Sequence, residues 1–338
     1  MLFVDDAQPL PNIPADLARR HRAHYRLDTP FRAAARLQQA LWLARQPLPE
    51  YPPFDPEQVP HLTARLGAKL ATNEICKSRN FLTPAVLVQT ARELVYAERG
   101  ALMDERRVLT NPISSSALAY NVGSFLKLNL DVAHRFIECI FPGHAGQISL
   151  ILFEHNPARG DPALTGDGSA FDLAIYLRRP DGTRTFIGIE FKFTEAMSEP
   201  VAENRPRYDE IATSSGLYRD PNATALRKAP IQQIFREHLL AQAMVDAGLV
   251  DDALFVLLAP EHNSDAQGAA RCYRTLLAHT PGKVAFMRLG LNRAIQAIGE
   301  AGAANYAERL HDRYGSFIEV RRAVSEFQAE RPSPSAET

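Results

Sequence analysis

Phe171-Asp172-Leu173-Ala174-Ile175-Tyr176-Leu177 and Thr185-Phe186-Ile187-Gly188-Ile189-Glu190-Phe191-Lys192-Phe193, separated by Pro180-Asp181-Gly182, give the plainest structural signal in the chain. Phe171, Leu173, Ile175 and Leu177 alternate with Asp172, Ala174 and Tyr176, while Ile187, Ile189, Phe191 and Phe193 alternate with Gly188, Glu190 and Lys192. A period of two reads as strand in both runs. Pro-Asp-Gly supplies the turn, because Pro presets φ and Gly accepts φ > 0. A hairpin folded about Asp181 sets Asp172 across from Glu190 and puts Lys192 diagonally from Asp172 on the same face. Opposed like charges destabilise a sheet by about 0.2–1 kcal/mol, so facing carboxylates imply a cation between them. Mg²⁺ suits such a pair, since it takes one or two carboxylates plus water and phosphate oxygens. A neighbouring ammonium can steady a nucleophilic water or developing phosphate charge. The competing reading is an exposed hairpin face with a surface ion pair worth about 0–1 kcal/mol.

The 338 residues are enough for one large domain or two moderate ones. A net charge of −1 places no global basic field around the chain, so nucleic acid would have to meet a local patch. Cys76, Cys139 and Cys272 are few and far apart, which argues against a disulfide framework or a cysteine-rich zinc site and suits a reducing cytosol. The start, Met-Leu-Phe-Val-Asp-Asp, carries acids where a signal peptide would be basic, and no stretch reaches the ~18 apolar residues of a membrane span. A cytoplasmic protein with no membrane partner is expected.

Residues 15–46 carry a helical pattern of one or two surface helices, whose arginines read as a solvated face. Prolines 47, 49, 52, 53, 56 and 60 mark a connection. Thr83-Pro84 starts a helix that stops by Gly100. Helical spacing returns over 130–141, and Gln147 to Phe153 reads as a buried strand closed by Glu154-His155-Asn156-Pro157. A polar stretch with Pro200, Pro206, Gly216 and Pro221 follows the hairpin. A helix over 231–247, a strand over 253–258 and helical patterns at 269–278 and 291–310 complete an α-β-β-β-α-β order. Residues 1–110 are thus expected to form a helical N-terminal region, 111–328 an α/β core with C-terminal helices, and 329–338 a disordered tail.

Asp on one strand, a tight turn, then Glu-x-Lys on the next resembles the PD-(D/E)XK nuclease core, although Ala170-Phe171 precede Asp172 where that pattern often has Pro. Residues 153–162, 165–172, 188–195 and 233–241 are similar to a bacterial restriction-endonuclease-like branch of that superfamily. The resemblance implies an α/β restriction-endonuclease-like core, a mixed sheet flanked by helices. It also implies a metal-dependent nuclease that hydrolyses phosphodiester bonds, with Mg²⁺ as cofactor and Mn²⁺ as substitute. DNA is the expected substrate, the choice between DNA and RNA being left open by the sequence. A homodimer is compatible with it. Asp172 and Glu190 would then bind the metal and Lys192 would assist catalysis. Glu154 is an additional candidate ligand, against the plain reading of an acid at a strand end. Gln233 and Arg236 fall one turn apart and would face the site, Gln233 on the attacking water and Arg236 on a phosphate, unless their helix face is simply solvated. His155 as a base and Asn121 are weaker candidates. Gly166-Asp167-Gly168 reads as a turn before it reads as a phosphate cradle. No P-loop, dinucleotide fingerprint or zinc spacing is present. A catalytically inactive binding or interaction module on the same fold is the alternative.

Overall fold

The computed structural model describes residues 8–46, 79–101, 103–198, 200–279 and 284–330. The proline-rich connection, Cys76 and residues 331–338 of the expected tail lie outside the described residues. Ahead of the sheet come α1 (Ala15–Arg20), α2 (Pro30–Arg45), α3 (Pro84–Val95), α4 (Glu105–Thr110), α5 (Ser115–Leu128) and α6 (Leu130–Ile140). Thr29 and Thr83 cap α2 and α3 by accepting from the amides of Arg32 (3.3 Å) and Val86 (3.2 Å), and proline follows each cap. Proline costs nothing there because the first helical amide has no intrahelical partner. The N-terminal helices are less solvated than their arginines suggested. α2 buries Phe31, Leu37, Trp42 and Leu43, and Arg36 grips Asp28 through two bonds of 2.6 and 2.9 Å.

Three antiparallel strands, β1 (Gln147–His155), β2 (Phe171–Arg178) and β3 (Arg184–Phe191), form a meander. The β2–β3 register runs from Leu173–Ile189 to Arg178–Arg184, symmetric about Asp181 as the turn chemistry required. Gly182 has a φ of 89°, and the Asp181 carboxylate accepts from the Thr183 amide at 2.9 Å. β4 (Asp252–Ala259) and β5 (Val284–Gly290) then extend the sheet in parallel, giving the order β1-β2-β3-β4-β5. The first crossover carries α7 (Pro206–Ser215) and α8 (Gln232–Asp246), and the second carries α9 (Ser264–Leu276). The chain finishes with α10 (Leu291–Glu300), α11 (Ala304–Leu310) and α12 (Ile318–Ala329).

The sheet separates two cores. On one face Phe153, Leu173, Ile187, Ile189 and Val256 meet the helices before the sheet and those at the C-terminus. On the other Ala174, Phe186, Phe255 and Leu257 meet α7, α8 and α9. Burial on both faces explains why even the small alternate residues matter. A Cβ on Gly188 would lie 2.5 Å from the Phe171 ring, and one on Gly123 would lie 2.6 Å from Phe153, so these glycines let a ring and a helix approach the sheet.

Elements with no counterpart in the sequence reading include α5, whose serine-rich start carries no clear helical period. α7, rich in Asp, Thr and Ser between Pro206 and Gly216, reads locally as loop. β5 is an edge strand whose burial does not alternate. α12 was taken into no helical pattern. The pattern over 291–310 is also broken, because Gly302 adopts a φ of 98° between α10 and α11.

His238 on α8 is almost wholly buried, with Nδ1 2.8 Å from the Tyr273 hydroxyl and Nε2 3.1 Å from the Val284 carbonyl. The neutral ring satisfies both contacts, donating from Nε2 and accepting at Nδ1. Burial holds its pKa down to about 4, below the ordinary 6.5. Between those values the unfolded chain binds the extra proton, so stability falls as pH drops from 6.5 toward 4, by up to about 1.4 kcal/mol per pH unit. Urea midpoints measured across that window should show a slope that His238→Phe reduces. A slope unchanged by the substitution would remove His238 as its source.

Candidate active site

The carboxyl end of β3 is polar inside two apolar cores. Glu190 and Lys192 are each about 5% exposed, so they are not a surface ion pair. The Lys192 ammonium lies 2.9 Å from Glu190 Oε1 and donates to Gln233 Oε1 at 2.7 Å. Gln233, from α8, returns its amide nitrogen to Glu190 Oε1 at 2.7 Å and to Glu237 Oε1 at 2.9 Å. Gln233, Arg236 and Glu237 occupy one face of α8 by their three- and four-residue spacing. Burial works against the Lys192 charge, but Glu190, Glu195 and Glu237 outweigh it and hold the ammonium above the usual lysine range.

Asp172 enters from β2 on the same side. The paired ladder ends at Leu173–Ile189, and Asp172 Oδ2 accepts from the Phe191 amide at 2.7 Å. Glu154 comes from the end of β1 and has a φ of 46°, a left-handed conformation uncommon for a residue with a side chain. Arg159 holds its carbonyl at 2.8 Å. Glu154, Asp172, Glu190, Lys192 and Gln233 all line one cavity of about 410 Å³. Burial first, then Glu190, pushes Glu154 up to about 7. Burial followed by Glu190 and Glu154 pushes Asp172 well above the carboxylate range. Glu237 is pushed up by burial and then by Glu190. The cavity therefore has more carboxylate than its cations neutralise.

Two site residues went unrecognised in the sequence. Glu195 accepts from Arg107 (2.7 Å), the Ser115 amide (3.0 Å) and the Phe193 amide (2.8 Å). Burial opposes its charge, but Lys192, those amides and Arg107 hold the carboxyl below its usual range. Glu237 Oε2 is buried without a hydrogen-bond partner among the described residues. Its position four residues after Gln233 was the available signal.

Other candidates have different places. Arg236 lines the cavity, but its guanidinium is bound to Asp167 at 2.7 and 3.0 Å. Asp167 also accepts from Thr165 Oγ1, the Ser169 amide and hydroxyl, and the Tyr208 hydroxyl, at 2.6–3.1 Å. Gly166-Asp167-Gly168 is therefore a turn organised by its own aspartate. His155 joins Glu98 and the Tyr176 hydroxyl rather than the cavity. Asn121 is buried on α5, bonded to Leu82, Asn80, Ala117 and Tyr314.

Acids from three neighbouring strands and a lysine two residues beyond one of them, on a helix-flanked mixed sheet, define a restriction-endonuclease-like α/β protein. Residues 26–316 match the family model of the PD-(D/E)XK nuclease superfamily, and the chain belongs to that superfamily. No curated protein and no solved structure matches it. Among the described residues no helix is long and apolar enough to cross a membrane.

Asp167 anchors the loop between β1 and β2 to α7 and α8, and several hydrogen bonds hold its pKa down to about 2 against burial. Removing one member of a buried ion pair strands the other, so Asp167→Ala should cost about 3 kcal/mol. The Asp167 contribution is complete above its unfolded pKa near 4 and is lost as pH falls through about 2. Denaturant curves at pH 7 and pH 2 check both statements. A loss as large at pH 2 as at pH 7 would contradict the charge-based account.

Proposed function

We propose that this chain is a Mg²⁺-dependent endonuclease-like hydrolase of DNA phosphodiester bonds, with Mn²⁺ able to substitute. Superfamily membership supports a nuclease, since its members are usually hydrolytic and typically use divalent metals. The observation that carries the metal assignment is the charge of the cavity: burial and then Glu190 push the carboxyls of both Glu154 and Asp172 above their usual range, and Glu154 adds to the push on Asp172. Hard oxygen donors short of positive charge suit Mg²⁺ or Mn²⁺. Glu154, Asp172 and Glu190 would hold the ion. When bound, it would lower the pKa of a water and offset phosphate charge.

The protein groups have separate tasks. Lys192 has three donors, of which Glu190 and Gln233 take two, leaving one N–H for a water or phosphate oxygen. Gln233 is a positioning residue as well as a candidate contact to the attacking water, because its carbonyl oxygen faces Lys192 while its NH₂ group bridges Glu190 and Glu237.

A second reading has an observation in its favour. Among the described residues no three His, Cys, Asp or Glu side chains converge as a ready metal cage, and Glu190 Oε1 is already engaged by Lys192 and Gln233. A nucleic-acid-binding or protein-interaction module that has lost hydrolysis would keep this arrangement.

Cleavage of plasmid and linear DNA with Mg²⁺ or Mn²⁺ separates the two readings. Lys192→Ala should abolish cleavage yet leave metal affinity, measured by calorimetry, within a few-fold of wild type, because an ammonium is no metal ligand. Equal loss of metal binding would reassign the lysine. In melting experiments either ion at ten times its Kd should stabilise the wild type by about 1.4 kcal/mol, and Asp172→Asn or Glu190→Gln should lose that gain. Wild-type midpoints identical in EDTA, Mg²⁺ and Mn²⁺ would rule out the metal site.

A further inference from the structure

The acidic cavity is poorly suited to attract a polyanion by itself, and two further polar cavities among the described residues lie at the β5 edge of the same sheet. One, of about 400 Å³, is lined by Arg271, Arg288 and Arg293 with Glu261. The next, of about 500 Å³, is lined by Arg219, Arg271, Arg274 and His279 beside Phe286. Arg271 borders both, so they form one continuous basic stripe along α9 and the edge strand β5.

The stripe is built rather than scattered. Gln267, buried on α9, donates to the carbonyls of Ala259 (3.4 Å) and Pro260 (2.9 Å) and thereby presents Oε1 to Arg288 at 2.6 Å. Arg219 is steadied through Nε on the Leu277 carbonyl at 3.0 Å. Among the described residues Arg219, Arg271, Arg274 and Arg288 form no ion pair with a carboxylate, whereas Arg293 is paired with Glu300 at 2.8 Å. Glu261 is the acid in the first cavity, and it accepts from the Asn292 amide at the start of α10 (3.3 Å). Four arginines without an ion pair among the described residues, with only Glu261 near Arg288, are a local departure from a chain whose net charge is −1.

Register links this edge to the proposed active site. Glu190 pairs with Leu257, and Leu257 with Arg288, so the three side chains share one face on one line across β3, β4 and β5. Two strand spacings put Arg288 about 10 Å from Glu190 at the backbone. That equals about three nucleotide rises along a DNA strand.

We infer that Arg219, Arg271, Arg274 and Arg288 bind the backbone phosphates of the DNA that enters the acidic cavity, on the flank of the scissile bond. The assignment rests on the nuclease reading of that cavity. The stripe supplies affinity without base recognition, since guanidinium contacts to phosphate carry no sequence information.

DNA binding by the full chain in EDTA, followed by fluorescence anisotropy from 50 to 300 mM salt, tests it apart from cleavage. Arg271→Gln/Arg274→Gln, at exposed positions, should weaken binding at least several-fold at low salt. It should also make the slope of log K against log salt less negative by about two, one per lost phosphate contact. Arg288→Gln should reduce it by about one. Arg322→Gln, an exposed position on α12 away from the stripe, makes the same change in net charge and should leave the slope unaltered. DNA binding with a slope unmoved by the stripe variants, or moved equally by Arg322→Gln, overturns the inference and leaves the nuclease reading intact. Stripe-dependent binding without cleavage in any metal leaves the stripe standing and overturns the nuclease reading. Stripe-dependent binding of RNA but not of DNA overturns the assignment to DNA.

Discussion

The buried ammonium of Lys192 is the constraint on which the carboxyl end of the sheet depends. A lysine taken out of water requires opposing charge and hydrogen-bond acceptors close by. Glu190 supplies the first, Gln233 the second, and Glu195 and Glu237 add negative potential from either side. Each of these residues then brings its own element. Glu195 takes the amide at the start of α5 and the guanidinium of Arg107, which draws the α4–α5 junction onto the strand end. Gln233 and Glu237 bring α8 over the opposite face. One cation thus joins helices from both sides of the sheet, and losing it alone would leave several buried acids uncompensated.

Arginines do comparable work in the loop between β1 and β2. Arg159 reaches the carbonyls of Glu154 and Gly168, Arg207 those of Ala163 and Leu164, and Arg205 that of Gly166, while Arg236 closes on Asp167. The loop carries few apolar residues, so guanidinium groups satisfying otherwise orphaned carbonyls substitute for a core. Its last residues lead into Asp172, and its first follow Glu154, so the same arginines fix the approach of two of the three acids.

The hairpin, its register and the common side of Asp172, Glu190 and Lys192 were legible because alternation and turn chemistry are local, and a symmetric turn propagates register along both strands. Gln233 was reached through the family resemblance, helical spacing adding only that it lies one turn from Arg236. Glu195 was not, since its partners Arg107 and Ser115 come from 80 or more residues earlier in the chain. Arg19, Arg20, Arg22 and Arg26 are exposed as expected, but Arg36 is not, because composition does not reveal that Asp28 folds back on it inside the protein. Arg313 escaped notice altogether. It lies fully buried between Gln39, Asn80 and the Trp42 ring, a pairing that arises only when the N-terminal helices pack on the C-terminal ones. β5 lacks alternation because an edge strand that meets α8 and α10 and also borders two open cavities has no uniformly buried face.

A net charge of −1 conceals a separation of sign across the sheet. Acids gather at the ends of β1 to β3, and arginines without an ion pair among the described residues gather on β5 and α9. On the nuclease reading proposed above, the separation answers two conflicting electrostatic demands. A cavity able to hold a divalent ion must be negative before the ion arrives, and such a cavity repels a polyanion at distances comparable to the Debye length of about 8–10 Å. A cationic edge set about 10 Å away along the strand register is close enough to offset that repulsion for an approaching phosphate chain, yet too far to neutralise the acids that a metal needs. The parallel pairing of β3, β4 and β5 fixes that distance, so a sheet topology chosen by hydrophobic burial also sets the spacing between the two charge clusters.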